Sequence, residues 1–265
     1  MHLYWCLDIM LKGKKGIIFG IANDHSIAWG IAEKLHQYGA DLAITYQNNT
    51  LLKRVKPLAD KVNCNCLVEC DVSKEEDLNK TLKIVKDKFE NIDFIIHAVA
   101  YSDKNELNGR YIETSKDNFI NSLSISCYSF TKIARVFQPI LNQNGSLVTL
   151  SFYGANKVMP NYNVMGVAKA ALETSVKYLS VDLGGQNIRV NAISAGPMRT
   201  LAGAAIANAR EVFKYTNDNS SLKRNVNLEE LGNSALYLVS DMSSAVTGEI
   251  HYVDCGFNIV GMPKV

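Results

Sequence analysis

No apolar run in this sequence approaches the ~20 residues needed to cross a bilayer as a helix, so no membrane span is expected. There is no Pro/Gly/Ser-rich linker, no repeat and no low-complexity tract, and only five of the 265 residues are proline. The chain therefore reads as one domain and not as a string of modules. Neither sign of charge is in excess. Lys and Arg number 28 against 26 Asp and Glu, a formal +2, which is too little for a general field that would gather nucleic acid. A second cysteine cluster is also absent. Of six cysteines, Cys64, Cys66 and Cys70 lie close together, but a metal site would need a partner cluster at suitable spacing. No metal is expected, and the thiols read as small buried hydrophobes of a reducing cytosol. The opening stretch MHLYWCLDIM has no basic leader, long apolar core or small-residue cleavage site, so it does not resemble a signal peptide. Residues 1–10 are expected to form an extension before a domain at 11–265, with Met10 as an alternative start.

What is present is an alternation of strand-like and helix-like segments from end to end. The expected strands are 16–20, 41–47, 66–72, 92–100, 145–152, 188–194 and 248–256. Between them lie amphipathic stretches at 26–39, with Ser26 as cap and Gly39 as stop, and at 51–62, bent at Pro57. Further helices are expected after Ser73 as cap, over 115–141, over 162–182 and over 228–241. Tyr101–Arg110 reads as a loop. Such alternation gives an α/β fold: a single-domain, Rossmann-type, doubly wound parallel sheet with helices on both faces. In these sheets ligands sit at the carboxyl ends of the strands, so chemistry should collect in the segments that follow them.

After the first strand comes GIANDHSIAWG (20–30). A glycine there lets the backbone turn near a pyrophosphate, and the next helix offers its positive end. The usual G-x-G-x-x-G is missing, so a plain strand–helix turn fits equally well. After the second strand, TYQNN (45–49) has neither an acid for a ribose hydroxyl nor a base for a 2′-phosphate. Gln47 favours NADH, while Lys53 and Arg54 nearby keep NADPH open. Asp71 reads either as an acceptor for an adenine amino group or as a helix cap. In NYNVMGVAKAALE (161–173), Tyr162 and Lys169 are two helical turns apart and are expected to share a helix face. An ammonium beside a phenol lowers the phenol's pKa, and the pair can stabilise an enolate. A buried tyrosine with a surface lysine is the plainer alternative. His97 reads as a structural histidine. Residues 197–225, rich in Ala, Gly and Asn, read as a mobile cover over the site.

Together these stretches, with IRVNAISAGPMRTLA and LGNSALYLVSDMSSAVTGEIHYVD, resemble the NADH-dependent enoyl-acyl-carrier-protein reductases of the short-chain dehydrogenase superfamily from about Leu11 to Val265. The Tyr-x6-Lys spacing is that family's, where ordinary short-chain dehydrogenases use Tyr-x3-Lys. The resemblance implies reduction of the trans-2 double bond of an enoyl thioester on acyl carrier protein, in a cytoplasmic homotetramer. It implies that Gly20, Ser26 and Ile27 hold the pyrophosphate side of NADH. Gln47 would approach the adenosine, Asp71 and Val72 the adenine, and Val99 and Ala100 the adenosine ribose region. Lys169 would bind the nicotinamide ribose and relay the proton that C2 takes from solvent. Met198, Arg199, Thr200, Leu201 and Ala202 would close over the pyrophosphate and nicotinamide. Tyr162 would hydrogen-bond the thioester carbonyl, and Ser102 would border the acyl pocket. Two positions depart from the family pattern. Phe152 stands where tyrosine is usual, its hydroxyl falling on Tyr153 instead, and Ala100 is commonly glycine, so its methyl narrows a pocket used by substrate and diphenyl-ether inhibitors. The alternatives are a ketone or alcohol dehydrogenase of the same superfamily, or a non-catalytic dinucleotide sensor.

Overall fold

A computed structural model of the chain describes residues 10–204 and 208–262. Residues 1–9, read above as part of an extension, and Ala205–Ala207 within the expected cover lie outside the described residues. Among the described residues seven strands pair in parallel in the order β3-β2-β1-β4-β5-β6-β7: Lys15–Phe19, Asp41–Tyr46, Cys66–Glu69, Ile92–His97, Leu141–Phe152, Arg189–Ala195 and Ile250–Val253. Their side chains alternate between two apolar layers. Ile18 packs into one, and Ile17 and Phe19 into the other. Because both faces are covered, the strands read as continuous apolar runs.

Three helices cover the first face: α1 (Ile27–Gln37), α2 (Asn49–Lys61) and α10 (Leu228–Val239). The opposite face carries α3 (Glu75–Phe89), α6 (Ser129–Phe137) and α7 (Val164–Gly184). Smaller helices are α4 (Lys104–Leu107), α5 (Lys116–Leu123), α8 (Leu201–Ala204) and α9 (Ala209–Asn219). Glycine sets one crossing. A Cβ on Gly30 of α1 would lie 2.8 Å from Leu228, and one on Gly232 of α10 would lie 2.8 Å from the Gly30 carbonyl. Met10 packs against the first core layer and Leu11 is buried in it.

The caps differ in part from expectation. Gly39 does take a positive φ just past α1, as a helix-ending glycine does. Ser26 stands at the N-cap of α1, but its hydroxyl makes no cap bond to the helix. It accepts from the Ala22 and Asn23 amides instead, both at 3.1 Å, and so folds the preceding loop. Ser73 is not the cap of α3, which is Lys74; the Ser73 hydroxyl donates to Asp71 at 2.7 Å. The helix keeps its expected acidic first turn, Glu75, Glu76 and Asp77. Helix α2 runs through Pro57 as one element. Between α5 and α6 a π-helical turn, Ser124–Tyr128, makes one continuous unit of the segment read as one or two helices.

Candidate active site

The sheet order reverses between β1 and β4, both of which end beside the mouth of a cavity of about 1420 Å³. A crevice at this switch point is where doubly wound sheets bind ligands. The volume exceeds the ~300–1,000 Å³ of an ordinary small-ligand pocket, leaving room for a dinucleotide and an acyl chain together.

Its floor begins at Gly20. That residue has φ +107, and a Cβ there would meet the Ala98 carbonyl oxygen at 2.1 Å. Glycine is required by the dihedral, as the turn reading supposed, and also by the close approach of the Ala98 carbonyl just past β4. Ser26 and Ile27 line the cavity where α1 begins, and a helix N-terminus attracts an anion; the Trp29 and Gly30 amides already donate to the Ser26 carbonyl. Gln47, Asp71 and Val72 line it beyond β2 and β3, and Val99, Ala100 and Ser102 beyond β4. Burial pushes the Asp71 carboxyl up, but hydrogen bonds from Ser73 and Gln47 and the charge of Lys74 outweigh it and hold the group below the usual carboxylate range. Asp71 is thus a turn-forming acceptor and a cavity-lining anion; it is not the helix cap, a place that Lys74 takes. Lys53 and Arg54 border a separate shallow pocket with Asn23 and Asp24.

Another part of the cavity lining comes from the end of β5 and the start of α7. Helix α7 begins at Val164, so Tyr162 precedes it and the expected shared helix face does not exist. Tyr162 and Lys169 nevertheless both line the cavity, and both are buried. The Lys169 ammonium donates to the Leu150 carbonyl at 2.7 Å. Burial lowers its pKa to about 8, against the raising influence of Cys127 and Glu173. The expected lowering of the tyrosine is also corrected. Burial, then the charge of Glu173, pushes the Tyr162 phenol well above its ordinary value, so it stays a proton-bearing donor. Phe152 lines the cavity and meets Tyr162 edge-to-face at 5.0 Å. Tyr153 points elsewhere, its ring on Phe257 at 5.7 Å. His97 is buried between Thr149 and Ser129, 2.8 Å from each hydroxyl, and burial and Lys169 lower its pKa to about 3; it is a neutral structural residue.

Met198, Arg199, Thr200 and Leu201 line the cavity from above. Arg199 lies over the Phe213 ring at 4.6 Å. Ala202 belongs to α8, and the expectation for its side chain falls outside the described residues. Three supporting groups escaped sequence reasoning. Buried Glu173 accepts from Ser151 at 2.6 Å and from Asn156 at 3.0 Å. Buried Asn118 accepts from Ser102 at 3.2 Å and from the Asp103 amide at 2.9 Å. Ser126, in the π turn, accepts from the Tyr101 amide at 2.9 Å and donates to its carbonyl at 3.0 Å. Only Glu173 had a signal, its place one helical turn after Lys169. Burial pushes the Cys66 and Cys70 thiols up to about 11, which keeps them protonated.

The family model described as "Enoyl-(Acyl carrier protein) reductase" matches residues 20–258. Enoyl-[acyl-carrier-protein] reductase [NADH] 2 of Rhizobium meliloti is 54% identical over 97% of this chain and 96% of its own length. The crystal structure of FabI from Candidatus Liberibacter asiaticus superposes with a TM-score of 0.94 at 53% identity, covering 96% of this chain and 99% of that one. The enoyl-(acyl-carrier-protein) reductase of Anaplasma phagocytophilum in complex with NAD does so with a TM-score of 0.94 at 52% identity, covering 97% and 98%. Taken with a parallel sheet open at its switch point and a buried Tyr-x6-Lys pair, these likenesses establish that the chain belongs to the enoyl-acyl-carrier-protein reductase family.

Proposed function

We infer that the protein reduces the trans-2 double bond of an enoyl thioester carried on acyl carrier protein, with NADH as reductant, in fatty-acid elongation. The observation that carries this reading is the buried Tyr162–Lys169 pair at one end of a cavity whose other end presents Gln47 and Asp71. The lining fits a dinucleotide: the N-terminus of α1 at Ser26 and Ile27 for a pyrophosphate, polar groups at Gln47 and Asp71 for adenosine, and a buried cation for a ribose. When bound, NADH supplies the hydride that goes to C3. Tyr162, kept protonated by burial and Glu173, donates a hydrogen bond to the thioester oxygen as negative charge grows there, a stabilisation worth most in a site closed to water. Lys169 brings positive charge to the same cavity and binds the ribose. Phe152 holds the phenol by its ring contact, and Ser102 borders the acyl side.

Preference for NADH over NADPH is supported by the anionic Asp71 bound by Gln47, and by Lys53 and Arg54 standing outside the main cavity. A homotetramer is supported by apolar side chains left exposed on α7, Tyr178 and Val181, and on the neighbouring α5 and π turn, Ile120 and Tyr128. A cytoplasmic location is supported by free thiols at Cys64, Cys66 and Cys70. Among the described residues no helix is long and apolar enough to cross a membrane.

The test is oxidation of NADH, compared with NADPH, in the presence of crotonyl and longer enoyl thioesters, with ketoacyl thioesters as the rival substrate. Faster turnover of the ketoacyl thioesters would move the assignment to a ketone reductase of the same superfamily. Sedimentation of the same sample tests the tetramer, which a monomeric mass would remove.

A further inference from the structure

We propose that Asn163 is a positioning residue for the acyl chain: its side-chain amide hangs one wall of the substrate pocket on the residue next to Tyr162, and thereby sets which enoyl thioesters fit. The proposal rests on the enoyl reductase reading above.

The wall is the segment that follows β4. It carries α4, and Leu107 at the end of that helix is buried, lines the cavity and packs with Tyr162, Val164 and Met165. A four-residue helix leaves its carbonyls without helical partners. Asn163 serves three of the carbonyls there. Its Nδ2 donates toward Leu107 at 3.1 Å, Glu106 at 3.3 Å and Gly109 at 3.4 Å. The start of the segment is fixed independently by Asn118, which accepts from Ser102 and the Asp103 amide and donates to the Glu106 carboxylate at 3.2 Å. One clamp therefore comes from α5 and the other from the residue beside the reacting phenol.

The backbone of Asn163 supports a use for this side chain. It has φ 37 and ψ −121, outside the regions that residues with a Cβ favour. Such strain costs of order 1–3 kcal/mol and persists where the surroundings over-determine it. Glycine would adopt the conformation more readily, but it would abandon three carbonyls. With the amide present, Leu107 is held against Tyr162. Without it, the carbonyls lose their donor and the apolar wall is free to shift away from the thioester site. The groups at the adenosine end, Gln47 and Asp71, stand on other elements, so NADH binding should not follow.

The experiment compares N163G, which removes the amide and relieves the backbone, with L107A, which removes the wall and leaves the amide. Steady-state kinetics are measured with crotonyl and a longer enoyl thioester, alongside NADH titration and thermal melting. The expected result for N163G is a KM for enoyl thioester raised about tenfold, equivalent to ~1.4 kcal/mol, with the affinity for NADH within about twofold and a changed ratio of kcat/KM between the two thioesters. L107A should shift that ratio in the same direction. Unchanged thioester KM in N163G, an unchanged ratio in L107A, or parallel loss of NADH affinity and melting temperature in N163G would each overturn the positioning role. If the unaltered enzyme reduces neither thioester, the enoyl reductase reading itself fails and takes this proposal with it.

Discussion

The chemistry of single residues is set here by burial more than by the neighbours that spacing suggests. Seven positions separate Tyr162 from Lys169, an interval that matches a family pattern, and both side chains line one cavity. They share no helix face, however, since α7 starts only at Val164. The sign of the tyrosine shift was also out of reach of sequence, which shows a nearby lysine but not the water that burial removes. Lys169 gives a direct pH test. Its folded value is lowered from 10.5 to about 8, so the ammonium is lost as pH rises through about 8, and kcat/KM should fall above that point because it reports the free enzyme. Stability should move the other way. Between about 8 and 10.5 the unfolded lysine holds a proton that the folded one has released, so the contribution of this group to stability rises with pH. A profile of kcat/KM for NADH that stays flat to about pH 10 would exclude the free enzyme's ammonium from the mechanism. Position 152 gives a second test. The Phe152 ring already packs on Tyr162, and Tyr153 faces Phe257. Accordingly F152Y should change kcat/KM by less than about tenfold, or ~1.4 kcal/mol, and Y162F should cost considerably more. An inactive Y153F beside an active Y162F would reverse the assignment.

Among the elements, strands were the most legible, because a strand covered on both faces is an apolar run bounded by turn residues. Ser26 and Ser73 were less legible: a hydroxyl before a helix can bond backward into a loop as easily as forward into the helix, and both do so. The stretch 197–225 read as irregular because α8 is a single turn and α9 mostly polar. It stands over the cavity through Arg199, Thr200 and Leu201, and through Phe213 and Lys214 on α9. Thr216 Oγ1 and Asn225 Oδ1 are buried there without a partner among the described residues, each costing about 1–3 kcal/mol, which lowers the cost of local opening. Amide hydrogen exchange across 197–225 should therefore be fast in the free enzyme and slow with NADH and a substrate analogue bound. Strong, equal protection in both states would argue for a fixed roof.

At the scale of the whole molecule, a net charge of +2 leaves docking of an acidic carrier protein to local charge. Of the basic residues in the cover, Arg224 is paired with Glu230 at 2.6 Å and Arg199 is stacked on Phe213. Lys214 and Arg210 at the cavity rim are better placed to receive a partner. Activity on carrier-bound substrate should fall with ionic strength more steeply than activity on a small thioester, and K214E should flatten the difference. Matching salt curves for the two substrates would remove the docking idea. The glycine-tight crossing of α1 and α10 bears on a different matter, the order in which the protein is made. Lys34 of α1 is bonded to Glu229 of α10 across 195 positions of sequence, so the helix whose first turn borders the cavity lacks its packing partner until most of the chain has left the ribosome. Domains begin folding as they emerge, N-terminal parts first, yet this cradle must wait. Nascent chains halted at residue 227 should remain protease-sensitive at α1 and fail to retain NADH, and chains extended past Val239 should gain both properties in one step.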